Sequence, residues 1–126
     1  MRRVRGRDTR PEIAVRRLLH GHGYRFRLHR KDLPGKPDIF LPRFKTAVFV
    51  HGCFWHGHAG CRRAKLPATK AEFWADKIGR NRERDTRTES ALAEQGYKTV
   101  IVWQCELRDP EAVIERINRA VGRTER

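Results

Sequence analysis

No stretch of this 126-residue sequence approaches the roughly 18 to 20 consecutive apolar residues of a membrane span, so no contact with a membrane is expected. Nor does its start, MRRVRGRDTR, carry the apolar core of a signal peptide. There are three cysteines, an odd number, so they cannot all pair within one chain. The expected setting is a reducing bacterial cytoplasm, in association with the nucleoid, where clustered Cys and His suggest a metal before a disulfide. Internal repeats and low-complexity tracts are missing as well. Acidic residues are few, with 15 Asp+Glu against 29 Lys+Arg and a formal net charge of +14. That imbalance favours polyanionic partners, because each neutralised phosphate releases a condensed counterion. Charge alone does not separate a specific DNA partner from a ribosomal protein or a generically adhesive surface.

What is present fits one domain over residues 1–126, with a basic N-terminal arm at 1–9. Charged residues make up 35% and hydrophobic ones 38%, a polar surface over a modest core rather than a disordered composition. A chain of this length buries roughly two-thirds of its unfolded surface. Thr9 and Glu12 have capping-box spacing, and Pro11 suits a first helical turn. A helix is expected from Pro11 to His20, with Ala14, Val15, Leu18 and Leu19 inward and Gly21 and Gly23 stopping it. Tyr24, Phe26 and Leu28 alternate with Arg25 and Arg27, as in a half-buried strand. Leu33 to Pro37 reads as a turn. Strands are expected at Asp38–Leu41, Thr46–Val50 and Thr99–Trp103. Thr69 and Glu72 form a second capping-box pair ahead of a helix from about Lys70 to Gln95, broken near Gly79–Asn81 and ended by Gly96. A last helix opens at Asp109-Pro110-Glu111, with Val113, Ile114, Ile117 and Val121 inward. This order describes a mixed α/β domain.

Between Gly52 and Pro67 the chain is irregular and rich in Cys, His and Gly. Cys53, His58 and Cys61 are closely spaced, and Cys105 follows the last strand. Three thiolates and one imidazole make a closed tetrahedral site of the structural zinc type. If the strands before Cys53 and Cys105 are neighbours, their ends bring these ligands together. The alternative is three ordinary buried cysteines, but the loop lacks the apolar residues to hold itself together without a metal. His20, His22 and His29 are expected to be exposed. His51 and His56 flank the loop and stand near Asp38 at a strand start, where proton transfer or contact with metal-bound water is plausible chemistry.

Phosphodiester hydrolysis needs a divalent cation, carboxylates to hold it and a base for the water. The candidates are Asp38, Glu12 and His56. Pro37-Asp38-Ile39-Phe40 resembles the first half of the PD-(D/E)xK nuclease motif. The position of its second half holds Phe49-Val50-His51 instead.

Several longer stretches closely resemble very-short-patch repair endonucleases. They are Asp8-Thr9-Arg10-Pro11-Glu12, Leu33-Pro34-Gly35-Lys36-Pro37-Asp38, the block Phe49 to His58, Pro67-Ala68-Thr69 with Glu72-Phe73-Trp74, Lys77 to Asn81, and Val100 to Cys105. The resemblance implies a restriction-endonuclease-like fold, a mixed central sheet flanked by helices in a single domain with structural zinc. It implies magnesium-dependent nicking of double-stranded DNA, 5′ of the mispaired thymine in a T:G mismatch. It places Asp38 as the magnesium ligand, with Val50 also at the magnesium. His56 is the general base, His51 contacts metal-bound water, and Glu12 is an auxiliary acid. It makes Cys53, His58, Cys61 and Cys105 the zinc ligands. Phe54, Trp55 and Trp74 become aromatics that wedge into the base stack beside the mismatch; without it, Trp55 and Trp74 read as core. Trp103 is assigned to the core. A monomer is expected, with mismatch-repair proteins as candidate partners.

The sequence departs from the family pattern in three places. Val50 stands where the family often has threonine; this is harmless if the main-chain carbonyl meets the metal and costly if a hydroxyl does. One extra residue separates His58 from Cys61. The N-terminal arm is shorter than usual. Two alternatives stay open here: a related nuclease acting on another DNA structure, and a non-catalytic zinc-containing DNA-binding module.

Overall fold

The computed structural model describes residues 9–123, so the basic arm expected at 1–9 lies, but for Thr9, outside the described residues. The first helix, α1 (Arg10–Gly21), starts as its sequence dictates: the Thr9 side chain accepts a hydrogen bond from the Glu12 amide, with Pro11 in the first turn. Its inner face is Val15 and Leu19, and Ala14 is exposed, contrary to expectation. Glu12 is buried on that face in its place.

Three strands follow: β1 (Arg27–Leu28), β2 (Ile39–Leu41) and β3 (Thr46–His51). β1 is shorter than the alternation from Tyr24 suggests. Tyr24 is buried, but Leu28 at the sheet edge is exposed, and only two residues pair with β2. The Leu33–Pro37 turn is present, closed by the Lys36 amide donating to the Leu33 carbonyl. His51 is the last residue of β3 rather than the first one past it.

The next helix, α2 (Ala71–Glu94), carries the chain to β4 (Lys98–Trp103), and α3 (Pro110–Val121) closes the fold. α2 differs from expectation at its start and its middle. Lys70, in the left-handed region, holds the N-cap position without a side-chain cap, so the Thr69–Glu72 box does not form. The contacts of Trp74 with Phe54 and Trp55 anchor that first turn instead. α2 also runs unbroken through Gly79. One glycine costs a helix only about 1 kcal/mol. Here the flanks are held by the Arg80–Asp76 pair and by Asn81, whose side chain donates to the Trp55 carbonyl. Gly96, at φ 88, follows the C-terminus as expected.

The sheet order is β1-β2-β3-β4, antiparallel except for the parallel pair β3–β4, which α2 connects. Side chains alternate between the faces of a strand. Ile39, Leu41, Val48, Val100 and Val102 point to one face. There they pack with Val15 and Leu19 of α1 and with Val113, Ile114, Ile117 and Val121 of α3. Phe40, Ala47, Phe49 and Ile101 point to the other face, toward Leu92 of α2. The result is three layers, with a mixed four-stranded sheet between helices. The same alternation continues beyond the apolar residues. Asp38 precedes β2 in phase with Phe40, His51 is in phase with Phe49, and Trp103 is in phase with Ile101. All three are thereby directed to the α2 face. No helix among the described residues is long and apolar enough to cross a membrane.

Candidate active site and thiol–imidazole cluster

Between the sheet and α2 a cleft of about 570 Å³ is lined by Asp38, Val50, His51, His56, Arg84 and Asp85. Asp38 is held by its register: one carboxylate oxygen accepts from the Val50 amide at 3.0 Å. Burial pushes this carboxyl up to about 6. The Val50 hydrogen bond, His29 and His56 act downward, and the negative charge of Glu12 acts upward. A carboxylate so placed is an uncomfortable anion that a cation would relieve.

His51 and His56 stack face to face, with ring centroids 3.7 Å apart and planes 7° apart. Burial holds His51 down to about 4, the neighbouring His56 acting in the same direction and Asp85 against it. His51 is therefore neutral at ordinary pH. Its Nδ1 is buried and has no hydrogen-bond partner among the described residues. His56 Nδ1 lies 2.6 Å from Asp85 Oδ2.

Asp85 is absent from the sequence expectations, yet it completes this cluster. A faint signal was there. Asp85 lies seven residues from Ile78 and seven from Leu92, the buried residues of α2. Seven residues fall about 20° short of two helical turns. Asp85 thus rides the inward stripe of an otherwise polar helix.

Glu12, on α1, is 2% exposed. Its Oε2 lies 2.6 Å from Arg16 and 2.8 Å from His29 Nε2. His29 is accordingly half-buried rather than exposed. Its strand end is tied down by the sheet edge, and its ring turns inward to the acid. His20 and His22 are exposed as expected.

The parallel pairing of β3 with β4 puts His51 opposite Trp103, so the chain segments leaving both strands run side by side. Donor atoms of Cys53, His58, Cys61 and Cys105 all lie within 4.8 Å of one another. His58 Nδ1 is 3.5 Å from Cys105 Sγ. Burial pushes the Cys53 thiol up to about 11. At Cys61 desolvation also acts upward, but hydrogen bonds from the Arg63 backbone, His58 and the other thiols outweigh it and bring the thiol to about 7. This is a donor set of the closed Cys3His type. The loop closes tightly around Gly57, at φ 60, where a Cβ would stand 2.7 Å from Ile78 Cγ2. The extra residue between His58 and Cys61 is absorbed by a turn, the Cys61 amide donating to the His58 carbonyl.

Trp103 is not a core residue. It is half-buried and stands between the two clusters, stacked on His58 at 4.1 Å and edge-on to His51 at 5.2 Å. A ring held between the His58 imidazole of the loop and the His51 imidazole at the end of β3 cannot join the apolar layer beneath the strand.

Phe54, Trp55 and Trp74 form an edge-to-face group with centroid separations of 5.2 to 5.6 Å. Trp55 is 48% exposed, and Phe73, which sequence reasoning passed over, adds a ring that is 57% exposed. Together they make an aromatic projection, Phe54 and Trp55 coming from the same loop as His56 and Phe73 and Trp74 from the first turn of α2.

A half-buried carboxylate that shares a cleft with paired imidazoles, one of them hydrogen-bonded to a second acid, on a chain of +14 charge, is an arrangement suited to hydrolysis of a polyanion. The family model described as DNA mismatch endonuclease Vsr matches residues 1–63. The chain is 57% identical over 117 residues to the type II nicking enzyme V.XorIIP of Xanthomonas oryzae pv. oryzae, covering 93% of this chain and 85% of that protein. It is 45% identical to the DNA mismatch endonuclease Vsr of Escherichia coli, covering 91% and 73%. With V.NmeAIP of Neisseria meningitidis it shares 43% identity, covering 96% and 86%. The chain belongs to the DNA mismatch endonuclease Vsr family and is an endonuclease.

Proposed function

We propose that this endonuclease nicks double-stranded DNA 5′ of the mispaired thymine in a T:G mismatch, with magnesium as cofactor, in very-short-patch repair. The observation that carries the reading is that Asp38, just ahead of β2, and His56, on the loop after β3, line one cleft. Asp38 and the main-chain carbonyl of Val50 would hold the magnesium ion; an oxygen-only set of this kind suits that cation. Valine in place of threonine is then no obstacle. Bound magnesium supplies positive charge against the negative charge that develops on the phosphate.

The remaining chemistry belongs to the side chains. With Nδ1 engaged by Asp85, His56 has its other ring nitrogen left to take a proton from the attacking water. Asp85 fixes the ring orientation and stabilises the imidazolium that results. His51, neutral and with an orphaned Nδ1, is fitted to hold a water beside the cation. Glu12 serves as the auxiliary acid.

Zinc on Cys53, His58, Cys61 and Cys105 would pin the loop that carries His56, a structural rather than a chemical role. Phe54, Trp55 and Trp74 would insert into the base stack. Unstacking costs a few kcal/mol per step, least where pairing is already faulty, so recognition falls to the loop that bears the base. A monomer built as a single nuclease domain belongs to the same reading. The layered mixed sheet supports a restriction-endonuclease-like fold.

The test is nicking of a T:G duplex against its T:A control and a panel of other single mismatches, with and without magnesium. The expected result is magnesium-dependent cleavage of one strand at T:G alone, lost in Asp38→Ala while DNA binding persists. Equal cutting of T:A, or a stronger preference for another mismatch, overturns the assignment.

A further inference from the structure

Glu12 is the most deeply buried acid near the cleft, and a buried carboxylate is costly unless it is paired. Two basic groups reach the same oxygen. Arg16 lies one turn further along the same helix, 2.6 Å away. His29 Nε2 reaches across from the end of β1, 2.8 Å away. His29 also holds the neighbouring acid segment by its main chain, its amide donating to the Asp38 carbonyl at 3.1 Å. To do both it adopts φ 49, in the left-handed region. That conformation is unfavourable for a residue with a Cβ and persists where surrounding contacts impose it. One strained residue thus grips both acids, Glu12 by its ring and the strand start bearing Asp38 by its backbone.

We propose that His29 is a positioning residue for the divalent-cation centre, its ring holding the Glu12 carboxylate beside Asp38. This rests on the reading of Asp38 as the carboxylate that binds the cation. Two neighbouring carboxylates repel, and the charge of Glu12 indeed acts on Asp38 against ionisation, while His29 acts the other way. Without the ring, the hydrogen bond that reaches Glu12 from the end of β1 is lost. Groups that orient a metal site from behind its ligands typically change affinity or activity by 10- to 100-fold on removal, roughly the effect expected here.

The test compares His29→Ala with His29→Gln in the full chain, purified with its thiol-bound metal in place. The glutamine amide can donate from near the position of Nε2; alanine cannot. Binding of Mn2+ alone, followed by water-proton relaxation, is measured without DNA, alongside nicking as a function of magnesium. His29→Ala should weaken Mn2+ binding by about tenfold or more and raise the magnesium requirement in parallel, and His29→Gln should recover most of both. Thermal melting confirms that each variant is folded. Should the alanine variant not fold, His29→Asn, whose amide is too short to reach Glu12, takes its place with the same expected loss. Wild-type Mn2+ binding in the truncated variant overturns the proposal, as does a glutamine variant no better than it. Asp38→Ala separates the two levels: undiminished Mn2+ binding there removes the underlying assignment of Asp38, and the proposal with it.

Discussion

Replacing Asp38 by asparagine should stabilise the protein while abolishing nicking. The carboxyl is half-buried between sheet and α2, and its folded-state value of about 6 lies above the ordinary 3.8. The folded protein therefore holds the Asp38 proton more tightly than the unfolded chain does. Between about pH 4 and 6 the native state binds more protons, so this group's contribution to stability falls as pH rises, and above 6 the full cost of ionisation is present. Two units at about 1.4 kcal/mol each amount to up to about 3 kcal/mol. Asparagine has nearly the same shape, and its carbonyl oxygen can still accept from the Val50 amide, so no cavity or orphaned N–H offsets the gain. Denaturant unfolding of both proteins, without added magnesium and without chelator, should show the variant more stable at pH 8 by up to about 3 kcal/mol. The difference should shrink toward zero by pH 4. Magnesium should close the gap by stabilising the wild type alone. A variant no more stable than wild type at pH 8, or a gain that persists unchanged at pH 4, would refute the reasoning.

Three further outcomes are expected. Asp85→Asn removes the charged partner of His56 and should lower the single-turnover nicking rate by about 10²-fold or more with little change in DNA affinity, since orienting a general base is worth that much; a shift in affinity instead of rate would contradict the role. Cys105→Ala should release the thiol-bound metal and loosen the Gly52–Pro67 loop, read by metal content in mass spectrometry and by proteolysis within the loop; undiminished metal content counts against the four-ligand cluster. Trp55→Ala should cost about 1 to 3 kcal/mol of binding to a mismatched duplex and less to a matched one, measured by fluorescence titration, because its exposed ring loses a stacking partner only where the helix can open.

The family resemblance of stretches between Asp8 and Cys105 and the spacing of apolar residues carried much of this protein without a structure. The short apolar runs at Asp38–Leu41, Thr46–Val50 and Thr99–Trp103 mark buried strands, and Val113, Ile114, Ile117 and Val121 mark the inner stripe of α3. The cysteine and histidine spacing identified the donor set, because ligand chemistry depends on residue type before it depends on position. Errors arose where a local preference competed with long-range contact. The Thr69 cap gave way to the aromatic packing of Trp74, and Gly79 stayed helical because its neighbours were held from outside.

What the tertiary structure alone decided is which polar side chains meet. α2 presents Asp76, Glu83, Asp85 and Glu89, and any of them could have faced a histidine. The burial of Ile78 and Leu92 sets the rotation of the helix about its axis, and that rotation selects Asp85. In the same way the parallel pairing of β3 with β4 drew Trp103 out of the core and between two imidazoles, and the edge pairing of β1 turned His29 onto Glu12. Sequence determines the period of each element, but its phase relative to a neighbour is a property of packing. A candidate site assembled from several elements depends on that phase.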